Sequence, residues 1–356
     1  IVMWLKRPIL TLLMVMLLLT IIHINTITVG EVEKPIVVIY AKGLVDKDVL
    51  KPLTNSITSV EWRIITGNFT FKNITDAKML IVVKVDPKDN FTVIELSDIN
   101  RWWRSGGKTL WVFGDSDHDM DGCLRINDTN SLLEAIGSVL RLENCEVVDE
   151  VSNVGIVNAI IANVNPDKPL DFLSISTSHG VLMYRSSVIV AKIDDTWHAL
   201  EGQLPKDRHI YRIVWSDDNA KVVDNLEPKP IIHKVNSSGK LVLTAVEMFP
   251  TTRNLLIVSG GPLFFNNYTM WSVKVGNTTL SGLEFIRNIV LWGTSKDNVR
   301  LFTLPTVTET TTKTTTSFIT RTKTVPPDIT MYYSALAVML VVIVGLAYLA
   351  FTVRRG

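Results

Sequence analysis

The chain has 356 residues, 47% of them hydrophobic, and its 36 basic and 35 acidic side chains leave a net charge of +1. That balance gives no electrostatic footprint for nucleic acid or for an acidic surface as a partner. Two cysteines are too few for a structural zinc site of four thiolates.

Lys6 and Arg7 precede the apolar run Ile9–Ile22, the charge-then-apolar order of a secretory signal, and the run is short for a spanning helix. Thr28 and Gly30 suit a cleavage site near Gly30, so residues 1–30 read as a signal peptide or, if uncleaved, a signal anchor. Next come Lys34–Gly43, Ala77–Asp86 and Lys108–Asp115, unbroken apolar runs of the kind that form strands buried on both faces of a parallel sheet. Val60–Gly67 supplies a further strand.

Helical segments alternate with these strands. Val45–Ile57 is one, weakened at Pro52. Thr92–Gly107 opens with a capping box, Thr92 and Glu95, and closes on Gly106–Gly107; Leu96, Ile99 and Trp103 share an apolar face, so Trp102 and Trp103 read as core. Asn130–Leu140 repeats the device with Ser131 and Glu134, and Ser281–Gly293 does so with Ser281 and Glu284. The order predicts an α/β fold with a doubly wound, mostly parallel sheet. From about Val154 to Val246 the pieces are short and β-like, a β-rich insertion whose last strand returns to the main sheet with Asn254–Gly261.

The ectodomain so defined spans 31–302. Residues 303–330 are dominated by threonine and punctuated by proline, the composition of an extended stalk that cannot bury enough surface to order itself. Met331–Val353 is uncharged and long enough to cross a bilayer, Arg354 and Arg355 stop it, and the positive-inside bias puts the tail 354–356 in the cytoplasm. Seven Asn-x-Ser/Thr sequons then fall outside the cell, at Asn68, Asn73, Asn90, Asn127, Asn236, Asn267 and Asn277. An outside location also permits a disulfide between Cys123 and Cys145.

Three stretches, INRWWRSGGKTLWVFGDSD (Ile99–Asp117), LLIVSGGPLFFNN (Leu255–Asn267) and FIRNIVLWG (Phe285–Gly293), carry a resemblance. The layout resembles the class I glutamine-amidotransferase-like superfamily over about Lys34–Gly293. It is most similar to the non-catalytic branch found in membrane-linked auxiliary proteins of the gliding-motility ABC-transporter type and in archaeal surface proteins. The resemblance implies a binding domain rather than an enzyme.

The stretch GDSDHDMDGC (Gly114–Cys123) allows three readings. As a nucleophile elbow, Ser116 stands where the catalytic relatives would carry cysteine, but His118 replaces the second glycine that an elbow needs. As a metal loop, Asp117, Asp119, Asp121 and Asp128 fall at calcium-loop positions one, three, five and twelve, with Gly122 at the turn, which points to calcium as a cofactor. As neither, it is a solvated acidic edge of the sheet. Elsewhere Ser178 beside His179 cannot form a dyad if both lie on a strand, His198, His209 and His233 show no ligand spacing, and Ser259–Pro262 reads as a turn.

These readings converge on a single-pass, membrane-anchored extracellular protein. Its non-enzymatic α/β domain would bind an unknown protein or small molecule at the cell surface, as an auxiliary to a transporter or surface layer. The alternatives are a solute-binding protein of an ABC importer and a degenerate or unrecognised hydrolase.

Overall fold

Alternate residues of β1 (Ile36–Lys42) enter two different cores: Val37, Ile39 and Ala41 join one, Val38 and Tyr40 the other. A strand buried in this way needs cover on both faces. The structure, a computed structural model, describes residues 33–203 and 209–295; the signal segment, the stalk and the apolar run 331–353 lie outside the described residues. No helix among the described residues is long and apolar enough to cross a membrane.

After β1, a 3-10 turn and α1 (Lys51–Ser56) lead to β2 (Glu61–Ile65), α2 (Phe71–Ile74), β3 (Met79–Lys84), α3 (Val93–Arg104), β4 (Thr109–Phe113) and α4 (Met120–Ala135). Then follow β5 (Leu140–Leu142), β6 (Glu146–Val148), β7 (Ala159–Val164), β8 (Val181–Tyr184), β9 (Ile189–Ile193), β10 (Thr196–Ala199), β11 (His209–Trp215), β12 (Lys221–Val223), β13 (Val242–Phe249), β14 (Asn254–Ser259) and α5 (Gly282–Thr294). Leu50 and Leu53 near α1, with Phe285, Ile286, Ile289 and Val290 of α5, fill one core. Ile99, Trp102 and Trp103 of α3, with Ile126, Leu132 and Leu133 of α4, fill the other. The two tryptophans are therefore core, as their spacing implied.

The main sheet runs β2-β1-β3-β4-β14-β13-β11-β7-β8. Its first five strands are parallel and the remaining pairings antiparallel. The α/β class stands, but the sheet is mixed rather than mostly parallel. The last strand of the segment expected as an insertion, β13, returns to the main sheet as expected. The segment also extends that sheet through β7, β8 and β11, while β9, β10 and β12 join β5 and β6 in the small sheets β5-β9-β10 and β6-β12. The cause is physical: parallel neighbours need a long crossover, usually a helix, and the described chain carries no α-helix between α4 and α5.

Local chemistry explains where the helices begin. Thr92 and Glu95 form the expected capping box of α3. Thr70 and Asn73 form another at α2, an element the sequence reading passes over as too short to show a period. The largest correction concerns α4, which starts at Met120 and not near Asn130. Asp119 caps it by accepting from Gly122 N at 2.8 Å. Aspartate, asparagine and glycine are weak helix formers, yet burial of Cys123, Ile126, Thr129 and Leu133 along one face prevails. Ser131 consequently lies inside the helix, its hydroxyl donating to Asn127 O, and caps nothing. Gly122 lets the helix approach the preceding turn: a Cβ there would stand 1.9 Å from Ser116 O.

Candidate functional site

In sheets of this winding, ligands settle in the crevice at the carboxyl ends of the strands, where successive connections leave in opposite directions. Here that point lies between β1 and β3, because β2 is laid on one side of β1 and β3 on the other. The crevice is closed by the chain's own charges. Lys42, buried at the end of β1, pairs with Glu95 at 2.8 Å and with Asp89 at 3.1 Å. Lys84, buried at the end of β3, pairs with Asp128 of α4 and donates to Asn90 Oδ1 at 3.2 Å. Burial and the nearby Lys42 charge lower the Lys84 ammonium to about 8.

Beside it, the acidic stretch leaves β4. Gly114 N donates to Ser259 O at 2.8 Å, which holds the turn against β14. Asp115 is buried and pairs with Arg125 of α4 at 2.8 Å, while Arg125 also donates to Val85 O. Burial pushes the Asp115 carboxyl up to about 6, although Arg125 and the Ser116 N–H oppose it. Asp117 is buried too and accepts from Asn225 N, Asn225 Nδ2 and Leu226 N at 2.8, 3.1 and 3.3 Å. Burial raises its pKa above the ordinary value against the pull of those donors. Asp119 pairs with Arg185 at 2.9 Å. Burial works to raise its pKa, but the Gly122 N–H and Arg185 outweigh this and hold it below the usual range.

The calcium reading fails on this geometry. Asp121 is exposed in the first turn of α4, and Asp128 lies seven residues along the same helix, about 10 Å away at 1.5 Å per residue. Asp117 and Asp119 spend their oxygens on backbone amides, Asn225 and Arg185. Among the described residues no three His, Cys, Asp or Glu side chains are grouped to hold a metal ion. The spacing matched a calcium loop, but a helix occupies the positions where the loop would bend. The disulfide reading is corrected as well: Cys123 and Cys145 are both buried, free thiols. Burial raises both thiol pKa values.

The nucleophile reading meets a different arrangement. Ser116 is fully buried, and its Oγ accepts from His118 N at 3.3 Å. It lies 3.5 Å from Glu146 Oε1. The His118 ring turns Nδ1 to Glu146, at 3.0 and 3.1 Å from its two oxygens, and not to Ser116. A hydrolytic triad needs the imidazole between hydroxyl and carboxylate; here the carboxylate lies between the other two. Glu146 also accepts from Asn158 Nδ2 and Asn225 Nδ2 at 3.1 and 3.0 Å. Glu146, Asn158, Arg185 and Asn225 were missed in the sequence, and no spacing marks them, because each comes from a different short strand or loop. The remaining turn, Ser259–Pro262, is a packing device: a Cβ on Gly260 would stand 2.1 Å from Ser187 O.

No protein-family model matches the chain. No curated protein matches it either. A solved structure titled "mmIFT52 N-terminal domain" aligns over 73% of this chain and 97% of its own, with 14% identity and a TM-score of 0.45. A likeness at that level carries no argument about fold or function.

Proposed function

We propose that the chain is a single-pass membrane-anchored extracellular protein whose α/β domain, similar to the non-catalytic amidotransferase-like branch, binds a ligand or partner without chemistry of its own. One observation supports the non-enzymatic reading above others. The charged groups at the carboxyl ends of the parallel strands are tied to one another: Lys42 to Glu95, Lys84 to Asp128, Asp115 to Arg125, Asp119 to Arg185 and His118 to Glu146. A catalytic site keeps a nucleophile or a base facing the space where substrate reacts, and Ser116 is buried with its hydroxyl already engaged. A serine-directed fluorophosphonate should therefore leave the folded protein unlabelled. Labelling that Ser116→Ala abolishes would overturn the reading in favour of the hydrolase.

The anchor rests on Met331–Val353 and its flanking Arg354 and Arg355. Six of the seven sequon asparagines (Asn68, Asn90, Asn127, Asn236, Asn267 and Asn277) are exposed, which is compatible with glycans on an outward-facing domain; Asn73 is half-buried and caps α2. Protease added to intact cells should remove the domain and leave a short fragment that contains Arg354–Gly356. A domain fully protected until the cells are lysed excludes the surface location.

A further inference from the structure

Where the switch crevice is filled, the antiparallel half of the sheet holds open space. A cavity of about 720 Å³ lies beside the ends of β7 and β11, walled among others by Asn163, Asn165, Ser176, Ser178, Trp215 and Lys240. Its size falls within the roughly 300–1,000 Å³ of small-molecule sites, which are mostly apolar. Seven of its ten lining residues carry an amide or a hydroxyl, beside Val164, Trp215 and Lys240. Among the described residues, the side chains of Asn163, Asn165, Ser176 and Ser178 have no hydrogen-bond partner, and all four are exposed.

The walls are held in place from behind. Trp215 Nε1 donates to Asn165 O at 3.1 Å. The Arg212 guanidinium sits 5.1 Å from a Trp215 ring centroid and is itself gripped by Asp167 at 2.7 and 2.8 Å. On the opposite wall, Asn288 of α5 donates to Leu173 O and Ile175 O at 3.1 and 2.9 Å and fixes the turn that carries Ser176. Ser176 holds φ +61, a left-handed conformation that serine seldom adopts. Such strain gathers at ligand clamps.

The chemistry of the lining narrows the ligand. Asn amides pair a donor with an acceptor, serine hydroxyls do both, and an indole face packs against the C–H face of a pyranose while leaving its hydroxyls free for the amides. Among the described residues the only lining charge is Lys240, which is 3.8 Å from Asp218 and so partly offset. A phosphate or carboxylate ligand would call for a convergent cationic fork, and none is present in this wall. We propose that the cavity is a binding site for an uncharged saccharide, stacked on Trp215 and hydrogen-bonded by Asn163, Asn165, Ser176 and Ser178. This rests on the ligand-binding reading of the domain.

The test uses the full-length protein in lipid nanodiscs, so that no sugar-headed detergent competes. An array of neutral and acidic oligosaccharides is screened, and the best neutral one is titrated calorimetrically, both free and attached to a carrier protein, to separate a soluble sugar from a glycoprotein as its source. Saturable binding of a neutral oligosaccharide is expected, weakened at least tenfold by Trp215→Ala. Asn163→Leu, at an exposed side chain with no bond to lose, should weaken it several-fold with the melting temperature unchanged. Three results overturn the proposal: no neutral oligosaccharide bound, binding confined to acidic ones, or an affinity that neither substitution alters. Because the protein is purified, this result stands or falls separately from the cell-surface protease experiment.

Discussion

Arg125→Met is expected to destabilise the domain by about 3–5 kcal/mol, the usual loss when one member of a buried ion pair is removed. Asp115 is 1% exposed, and among the described residues Arg125 is the only charged partner within bonding distance of its Oδ2. The double variant Asp115→Asn/Arg125→Met should recover most of the loss, since a buried pair replaced as a unit is often neutral. Equilibrium urea unfolding at pH 7, followed by tryptophan fluorescence, measures both. A single variant that loses under about 1 kcal/mol would sink the expectation. The pair also sets a pH trend. Burial raises the Asp115 pKa from the ordinary 3.8 to about 6 in the fold. Between those values the folded state keeps a proton that the unfolded chain has released, so this group's contribution falls as pH rises and is level above about 6. The span is roughly 3 kcal/mol, and Asp115→Asn should remove it.

His233 should produce the opposite half of the stability profile. It is nearly buried, with Nδ1 against Glu143 and Nε2 at 3.2 Å from Glu201. Burial works to lower its pKa, but the bonds to Glu143 and Glu201 and their charges outweigh it and lift the imidazole from 6.5 to about 9. The stabilisation is therefore complete below about 6.5 and is lost as pH rises through about 9, a change of roughly 3 kcal/mol. His233→Gln should be less stable than the parent at pH 6, because buried Glu143 loses its cation. It should lack the parent's decline between pH 7 and 10. Parallel pH profiles for the two proteins would refute the assignment.

The three strands read from unbroken apolar runs are all present, because double burial writes itself into composition, and the further strand read at Val60–Gly67 is present as β2. The helix α3 was legible for a similar reason, with its cap, apolar face and terminal glycines all within one local window. Where the partner is distant in sequence, the signal disappears. Nothing in HIYRIVW or VLMY says that β11 and β8 continue the main sheet and do not form a separate flap. Nor does any spacing link Glu146 to His118, or Arg185 to Asp119. The acidic stretch misled in an instructive way. Asp119 is a helix cap, Asp117 anchors the Asn225 loop, and Asp128 neutralises Lys84. One periodic row of carboxylates thus serves three unrelated structural ends. His233 looked ordinary for want of a neighbour at ligand spacing, and its two carboxylates come from Glu143 and Glu201.

The place of β14 in the sheet governs how the domain can be made. Leu110 of β4 lies beside Leu80 of β3 on one side and Leu256 of β14 on the other. During synthesis, which proceeds from the N-terminus, the first half of the sheet can assemble while β4 still presents an open edge of five residues, four of them apolar. That edge is closed only when the chain has grown past Ser259, so the pairing is strongly non-local and slow to form. An unpaired edge of this composition invites strand addition from another molecule. A ribosome stalled before Asn254, or a message truncated there, yields a chain whose failure is aggregation rather than simple unfolding.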